Sequence, residues 1–298
     1  MKKPLSMLAA AATITLALQP IPASGSTTGH RKSPSECDSI KDKSAAIRDF
    51  AEYVSSKWKL SIKTQDYEMR PFDAGCVIQP KGATPVTAQG DPNSAGGSIT
   101  VSAVETAPPP ETPPSGGAAI QQEATWSEPT CRETFDSAGI GKMRACGQWG
   151  RMDYEGATHI NYAFRSYASC GAREGGPIAT YVSECYVETD PLSPTSTTLV
   201  WNDWSPKSTA EFNPCGSLGL NLGVGPVSAS YTVNTCEKLI PAWGTYAPDF
   251  RATWKGKSYF AEDVRETAAM VGFWSQGTGS PSIYYRHGYT VAVGPPAR

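Results

Sequence analysis

The chain has 298 residues, and its 26 basic and 28 acidic residues give a formal net charge of −2 at pH 7. Such a mild acidic balance gives no electrostatic reason to expect nucleic acid or an anionic membrane as a partner. We therefore expect no nucleic-acid partner.

The first residues, MKKPLSMLAAAATITLALQPIPASG, have the order of a secretory signal peptide. Two lysines precede an uncharged apolar run from Leu5 to Leu18, and small residues follow at Ala23 and Gly25. A transmembrane helix needs about 18 or more apolar residues, and no later stretch approaches that length. We predict a signal peptide at residues 1–25, export to the extracellular space and no stable membrane span.

Residues 35–79 are predicted to form a small α+β module. Apolar residues recur at helical spacing between Ile40 and Trp58, and Ser35 or Ser39 can cap the start of this helix. Two short strands are predicted after it, in KLSIKTQDYEM and AGCVIQP. Fewer than about 50 residues bury little apolar surface, so such a module needs a disulfide to be stable alone.

The segment 80–122 is predicted to be a linker. Its stretches KGATPVTAQGDPNSAGG and TAPPPETPPSGG are rich in Pro, Gly, Ser and Thr and contain almost no large apolar residues. Such a composition cannot offset the entropy that is lost when the chain becomes ordered. Within the linker, SITVSAVE is a candidate for an isolated strand.

Residues 126–298 are predicted to form an antiparallel β domain. Stretches with period-two alternation follow one another at short intervals, with turn residues between them. Examples are THINYAFRSYASC, IATYVSECYVETD, TTLVWNDWSP, DVRETAAMVGFWSQG and SIYYRHGYTVAVG. Such a series indicates an antiparallel sandwich or barrel, and we predict a mainly β chain with a jelly-roll or immunoglobulin-like sandwich.

All eight cysteines follow the predicted signal peptide, and an even number in an exported chain indicates disulfides. A metal site is less favoured because the chain has no CxxC pair and its histidines, His30, His159 and His287, are isolated. We predict no metal and no cofactor. Of the pairings that eight cysteines allow, on the order of 100, we predict the sequential one. It joins Cys37 to Cys76, Cys131 to Cys146, Cys170 to Cys185 and Cys215 to Cys236.

The stretch CGSLGLNLGVGPVSASYTVNTC, residues 215–236, is predicted to be a β-hairpin. A turn at Gly225-Pro226 makes every apolar residue of one arm face an apolar residue of the other. The same register pairs Cys215 with Cys236. Residue parity then places this disulfide on the face opposite the leucines.

A membrane-active hairpin is an alternative interpretation of the same stretch. Strands that cross membranes also carry small polar residues on one side and aliphatic residues on the other. The arm from Leu218 to Val224 has seven residues, whereas a spanning strand needs about 9–11. Packing of the leucines in a core is therefore favoured over insertion.

Three stretches of the β domain are LVWNDWSP, NTCEKLIPAW and DVRETAAMVGF. Together with the spacing of Cys131, Cys146, Cys215 and Cys236, they resemble uncharacterised exported β-rich proteins of actinobacteria. The resemblance covers residues 126–293. It implies secretion and a β domain, and it brings no catalytic residue to this chain.

Seven tryptophans lie in the β domain, where large aromatic side chains usually belong to the core. An exposed aromatic pair would instead indicate binding, since flat aromatic faces suit sugar rings and cations. A regular strand through LVWNDWSP sends Trp201 and Trp204 to opposite faces, so one of them is predicted at the surface. The candidate binding residues are Trp201, Trp204, Tyr285 and Tyr289, with an extracellular glycan or another cell-surface component as partner.

Catalytic motifs are absent from the sequence: it has no GxSxG, HExxH or Walker pattern. His159 and His287 are the candidate bases of a secreted hydrolase, with Asp203 or Glu266 as the acidic partner. A half-buried imidazole with one hydrogen bond is the more common role for such histidines. We therefore predict a secreted binding or structural β module, with the hydrolase as an alternative.

Overall fold

The computed structural model describes residues 36–90, 98–107, 124–136, 141–152, 159–172, 180–191, 198–243, 249–259, 265–276 and 283–293. These residues belong to one compact unit, Pro34–Arg298. The signal peptide predicted at residues 1–25 lies outside the described residues, as do residues 91–97 and 108–122 of the predicted linker.

The helical part consists of one turn, α1 (Glu36–Ser39), and the longer helix α2 (Lys43–Trp58). The side chain of Asp42 caps α2 by accepting a hydrogen bond of 2.8 Å from the backbone N–H of Ala45. The predicted cap Ser39 lies in the separate turn that precedes α2, and Ser35 lies outside the described residues. The helix ends at Trp58, as the spacing of its apolar residues predicts.

A 3₁₀ turn at Thr64–Asp66 leads into the strands. The described residues contain β1 (Tyr67–Phe72), β2 (Gly75–Pro80), β3 (Thr87–Gly90), β4 (Ser98–Ala107), β5 (Thr125–Trp126), β6 (Thr130–Asp136), β7 (Gly141–Arg151), β8 (Asn161–Ala172), β9 (Thr180–Pro191), β10 (Thr198–Ser205), β11 (Ala210–Val224), β12 (Val227–Trp243), β13 (Phe250–Ser258), β14 (Arg265–Gln276) and β15 (Ile283–Val293).

The strands form two antiparallel sheets. Sheet 1 has the order β1-β2-β6-β7-β8-β14-β10, with β5 also paired to β7, and sheet 2 has the order β11-β12-β13-β9-β15-β4-β3. The disulfide between Cys170 of β8 and Cys185 of β9 joins the two sheets. The hydroxyl of Tyr285 in β15 also crosses between them and donates to the carbonyl of Thr130 at 2.8 Å. The predicted antiparallel β-sandwich is confirmed.

Sheet 1 is buried on both faces. On the face toward sheet 2, the rings of Trp149, Phe164 and Phe273 pack against one another. On the opposite face, Tyr167 is 2% exposed because the ring of Trp58 in α2 and the ring of Tyr231 in β12 contact it. A helix and part of a hairpin therefore cover the outer face of sheet 1.

Residues 36–79 contribute to this covering layer and to sheet 1 itself. Strand β2 pairs with β6, and Tyr53 of α2 shares a hydrogen bond of 2.8 Å with Ser169 of β8. The predicted small module thus belongs to the same compact unit as the β domain. One helix and two strands bury too little apolar surface to form a core of their own, so they share the core of the sandwich.

Two stretches of the segment predicted as a linker lie in strands of sheet 2. Strand β4 pairs with β15 from Ser98↔Ala292 to Ala107↔Ile283, and β3 pairs with β4. SITVSAVE is therefore an integral strand rather than an isolated one. Its alternating residues Val101 and Ala103 are fully buried. The linker prediction followed from the many Pro and Gly residues on either side of this short alternating stretch.

The predicted hairpin is formed by β11 and β12. The register pairs Val224 with Val227 and Cys215 with Cys236, and Gly225 in the turn has a positive φ of 58°. The four disulfides are the four sequential pairs predicted from the sequence. The two strands have 15 and 17 residues and are longer than the arms predicted for this hairpin.

We call residues 215–236 the ribbon. Its backbone pairs within itself, and β12 joins β13 only from Lys238 onward. The ribbon packs against β14, and Tyr231 stacks on Tyr167 with 5.1 Å between ring centroids. Leu218 is half-buried, and six further apolar residues of the ribbon are each 5% exposed or less: Leu220, Leu222, Val224, Val227, Ala229 and Val233. The packing of the leucine face in the core is confirmed.

The ribbon should contribute to stability through its buried face only. We expect Leu222→Ala to lower the free energy of unfolding by about 2–5 kcal/mol, because it leaves a cavity under the ribbon. Ser230→Ala, on the exposed face, should change it by less than about 0.5 kcal/mol. Urea unfolding of both variants measures the difference, and two equally small losses would contradict this packing.

Candidate functional site

Three tryptophans form the most prominent surface feature among the described residues. The ring of Trp243 lies edge-to-face against Trp201 at 5.0 Å and against Trp204 at 4.7 Å between centroids. We call Trp201, Trp204 and Trp243 the tryptophan cluster. Trp243, the last residue of β12, is 44% exposed, while the other two are half-buried.

A β-bulge in β10 brings Trp201 and Trp204 to the same face. Trp201 pairs with Phe273 and Trp204 with Val271, so Asn202 is an extra residue in the strand. Because residues 273 and 271 lie on one face of β14, their partners also share one face. The prediction that Trp201 and Trp204 lie on opposite faces is wrong, since it assumed a regular strand.

The cluster contacts aromatic residues of both sheets. Trp201 contacts Phe273 in sheet 1 at 4.7 Å, and Trp243 contacts Phe250 in sheet 2 at 5.1 Å between ring centroids. Both phenylalanines are fully buried. The tryptophans therefore continue the aromatic core outward to the surface. Sequence reasoning missed Trp243 as a site residue, because β12 extends beyond the predicted hairpin.

Charged groups beside the cluster limit which ring faces are open. The ammonium of Lys207 lies over the ring of Trp204 at 3.9 Å from its centroid and forms an ion pair with Asp203. The second carboxylate oxygen of Asp203 accepts a hydrogen bond of 3.1 Å from the backbone N–H of Gly223 in the ribbon. Lys207 thus covers one face of Trp204, and Trp243 provides the most exposed aromatic surface of the cluster.

The two tyrosines predicted as binding residues lie inside the sandwich. Tyr285 and Tyr289 are both 0% exposed. The hydroxyl of Tyr289 donates to the carbonyl of Gly141 at 3.3 Å, and the hydroxyl of Tyr285 donates to that of Thr130. Burial raises the pKa of Tyr285 well above its ordinary value. Their prediction as surface residues is wrong because this face of β15 points toward sheet 1.

The two histidines proposed as bases are in different surroundings. His159 is exposed, and its ring stacks on Trp274 with 4.4 Å between centroids. His287 is 0% exposed and lies in the interior of the sandwich. Among the described residues, no hydrogen bond or ion pair joins either imidazole to a carboxylate.

The two candidate acids also have structural contacts of their own. Asp203 is bound to Lys207 and the ribbon, as described above. Glu266 forms an ion pair of 2.5 Å with Lys57 of α2 and accepts a hydrogen bond of 2.9 Å from the N–H of Asn234. The structure therefore does not bring the predicted bases and acids together into one site.

In the described ranges, no three side chains of His, Cys, Asp or Glu come close enough to hold a metal ion. No helix in this part of the chain has the length and apolar character to cross a membrane. A shallow pocket of about 320 Å³ at the base of the hairpin contains none of the predicted site residues. It is lined by Glu211, Phe212, Asn213, Glu237 and Lys238.

Comparison with known proteins adds no relative: no protein-family model matches the chain, and no curated protein matches it significantly. The resemblance to exported actinobacterial proteins therefore stays a prediction from the sequence.

Fluorescence quenching can test the exposure of Trp243. Acrylamide should quench the native emission less in Trp243→Phe than in the natural protein, because that substitution removes the most accessible indole. Trp254→Phe is the matched control: Trp254 is 0% exposed, and its indole N–H donates to the carbonyl of Cys236 at 2.9 Å. Loss of the same quenchable fraction in both variants would contradict the described geometry.

Proposed function

We propose that this protein is an extracellular binding module that holds a glycan of the cell wall or cell surface against Trp243. The supporting observation is the 44% exposure of Trp243 within the tryptophan cluster. A large indole in solvent loses the free energy that burial would supply, so a surface position of this kind indicates a ligand. The flat ring matches the apolar face of a sugar ring.

The arrangement of the cluster favours a rigid binding surface. Edge-to-face contacts from Trp201 and Trp204 hold the ring of Trp243 in one orientation. A side chain that is already ordered loses little conformational entropy when the ligand arrives. The two half-buried tryptophans therefore support binding mainly by positioning Trp243.

The disulfides and the amino-terminal sequence support an extracellular location. Four disulfides are typical of a protein that folds in an oxidising compartment. The apolar run near the amino terminus has the pattern of an export signal. A cell-wall or cell-surface glycan is available as a ligand in that location.

Binding is favoured over hydrolysis on geometric grounds. General acid–base catalysis needs the reacting groups within hydrogen-bond reach of one substrate. His159 and His287 lie at the surface and in the interior, respectively. The membrane-active alternative has less support, because the apolar face of the ribbon is buried against sheet 1.

A polysaccharide pull-down tests the proposal. The protein should be retained by at least one insoluble wall or surface glycan, and Trp243→Ala should weaken its affinity by about tenfold or more. Ile160→Ala is a matched control, because Ile160 is 41% exposed but is not part of the cluster. Smaller losses are expected for Trp201→Ala and Trp204→Ala.

The same experiment can refute the proposal. Thermal unfolding of each variant shows whether it remains folded at the temperature of the assay. No retention on a broad glycan panel, or equal retention of folded Trp243→Ala and the natural protein, would exclude a glycan site at Trp243.

A further inference from the structure

His287 occupies the interior of the sandwich without a hydrogen-bond partner. It is 0% exposed, and neither ring nitrogen has such a partner among the described residues. Tyr285 and Tyr289 flank it on the same face of β15, and both donate hydrogen bonds across to sheet 1. His287 therefore lies between two of the hydrogen bonds that join the sheets.

Among the described residues, the charged group that acts electrostatically on His287 is Arg132 of β6. Arg132 is also 0% exposed, and its guanidinium donates to the carbonyl of Thr84 at 2.6 Å. Burial lowers the pKa of Arg132 to about 10, so this side chain stays charged at neutral and acidic pH. Its titratable neighbours among the described residues include Tyr285 and Tyr67.

Among the described residues, those that flank His287 and Tyr285 on the neighbouring strands are uncharged. Its cross-strand partners are Ala103 of β4 and Val187 of β9. On sheet 1, Gly147 of β7 and Phe164 of β8 pack against the neighbouring Tyr285. A proton on His287 would therefore add a second positive charge beside Arg132 in an apolar interior, where an unpaired charge is strongly unfavourable.

We propose that His287 is an acid-sensitive switch between the two sheets. Uptake of one proton from solvent makes the closed interior unfavourable, so β15 separates from β6 and β7 and the bonds from Tyr285 and Tyr289 break. No covalent bond changes. Because β15 pairs with β4 and β9, the opening extends to this part of sheet 2. The switch does not depend on the proposed glycan site.

The pKa of His287 gives the sign of the effect. Burial, with a further contribution from Arg132, lowers this pKa from 6.5 to about 3 in the folded protein. The unfolded chain takes up the proton at the ordinary pKa, so acid favours unfolding. The stability that neutral His287 contributes is fully present above pH 6.5 and is lost as the pH falls from 6.5 toward about 3.

Urea unfolding between about pH 7 and about pH 5 tests the switch, since most carboxylates titrate below that range. The folded-to-unfolded ratio of the natural protein should fall, approaching tenfold per pH unit below pH 6.5. His287→Gln and His287→Phe should remove this dependence, and either variant suffices if the other does not fold. His159→Gln, which changes an exposed histidine, should retain it.

A second measurement needs no variant. Hydrogen exchange of the natural protein, corrected for intrinsic rates, should show amides of β15 and β4 losing protection at about pH 5 before those of α2. The proposal is overturned if the folded His287 variants keep the pH dependence of the natural protein. It is also overturned if the natural protein shows neither a loss of stability nor a loss of β15 protection in this range.

Discussion

Sheet 1 has two apolar faces, and the architecture of the protein depends on covering both of them. Strands such as β8 are buried along nearly their whole length, which is the pattern of a strand enclosed on both sides. Sheet 2 covers one face, while α2 and the ribbon cover the other. If either cover were absent, residues such as Phe164 or Tyr167 would lie in water.

A few polar contacts attach α2 and the ribbon to the outer face of sheet 1. Glu266 of β14 connects Lys57 of α2 with the backbone of Asn234 in the ribbon, although its side chain is only 7% exposed. A buried carboxylate is tolerated there because a cation and an N–H donor satisfy it. The same requirement makes the interior position of His287 unusual, since its nitrogens lack such partners in the described structure.

The tryptophan cluster lies at the edge of the sandwich, since Trp201 and Trp204 belong to β10, the last strand of sheet 1. Trp201 and Trp243 each contact a buried phenylalanine of a different sheet, so the cluster rests on the core of both sheets. Its outermost ring cannot be buried without another cover, and no described element supplies one. A rigid, exposed aromatic surface on a stable framework is a suitable arrangement for a binding module.

The local features of the fold could be predicted from the sequence. The turn at Gly225-Pro226 predicts the register of the ribbon, because this turn position makes the apolar residues of the two arms face each other. The same register pairs Cys215 with Cys236, and the period-two stretches indicate the mainly β class. Helical spacing similarly predicts the end of α2 at Trp58.

Tertiary structure alone decided which face each residue presents to water. Alternation separates the two faces of a strand but does not say which is covered, so Tyr285 and Tyr289 looked available although they point inward. The bulge at Asn202 depends on pairing with β14, and it brings Trp201 and Trp204 together. Strand β4 likewise joins sheet 2 only through partners that are distant in the sequence. The sequence by itself thus determined local periodicity and pairing within the hairpin, while long-range packing determined the site.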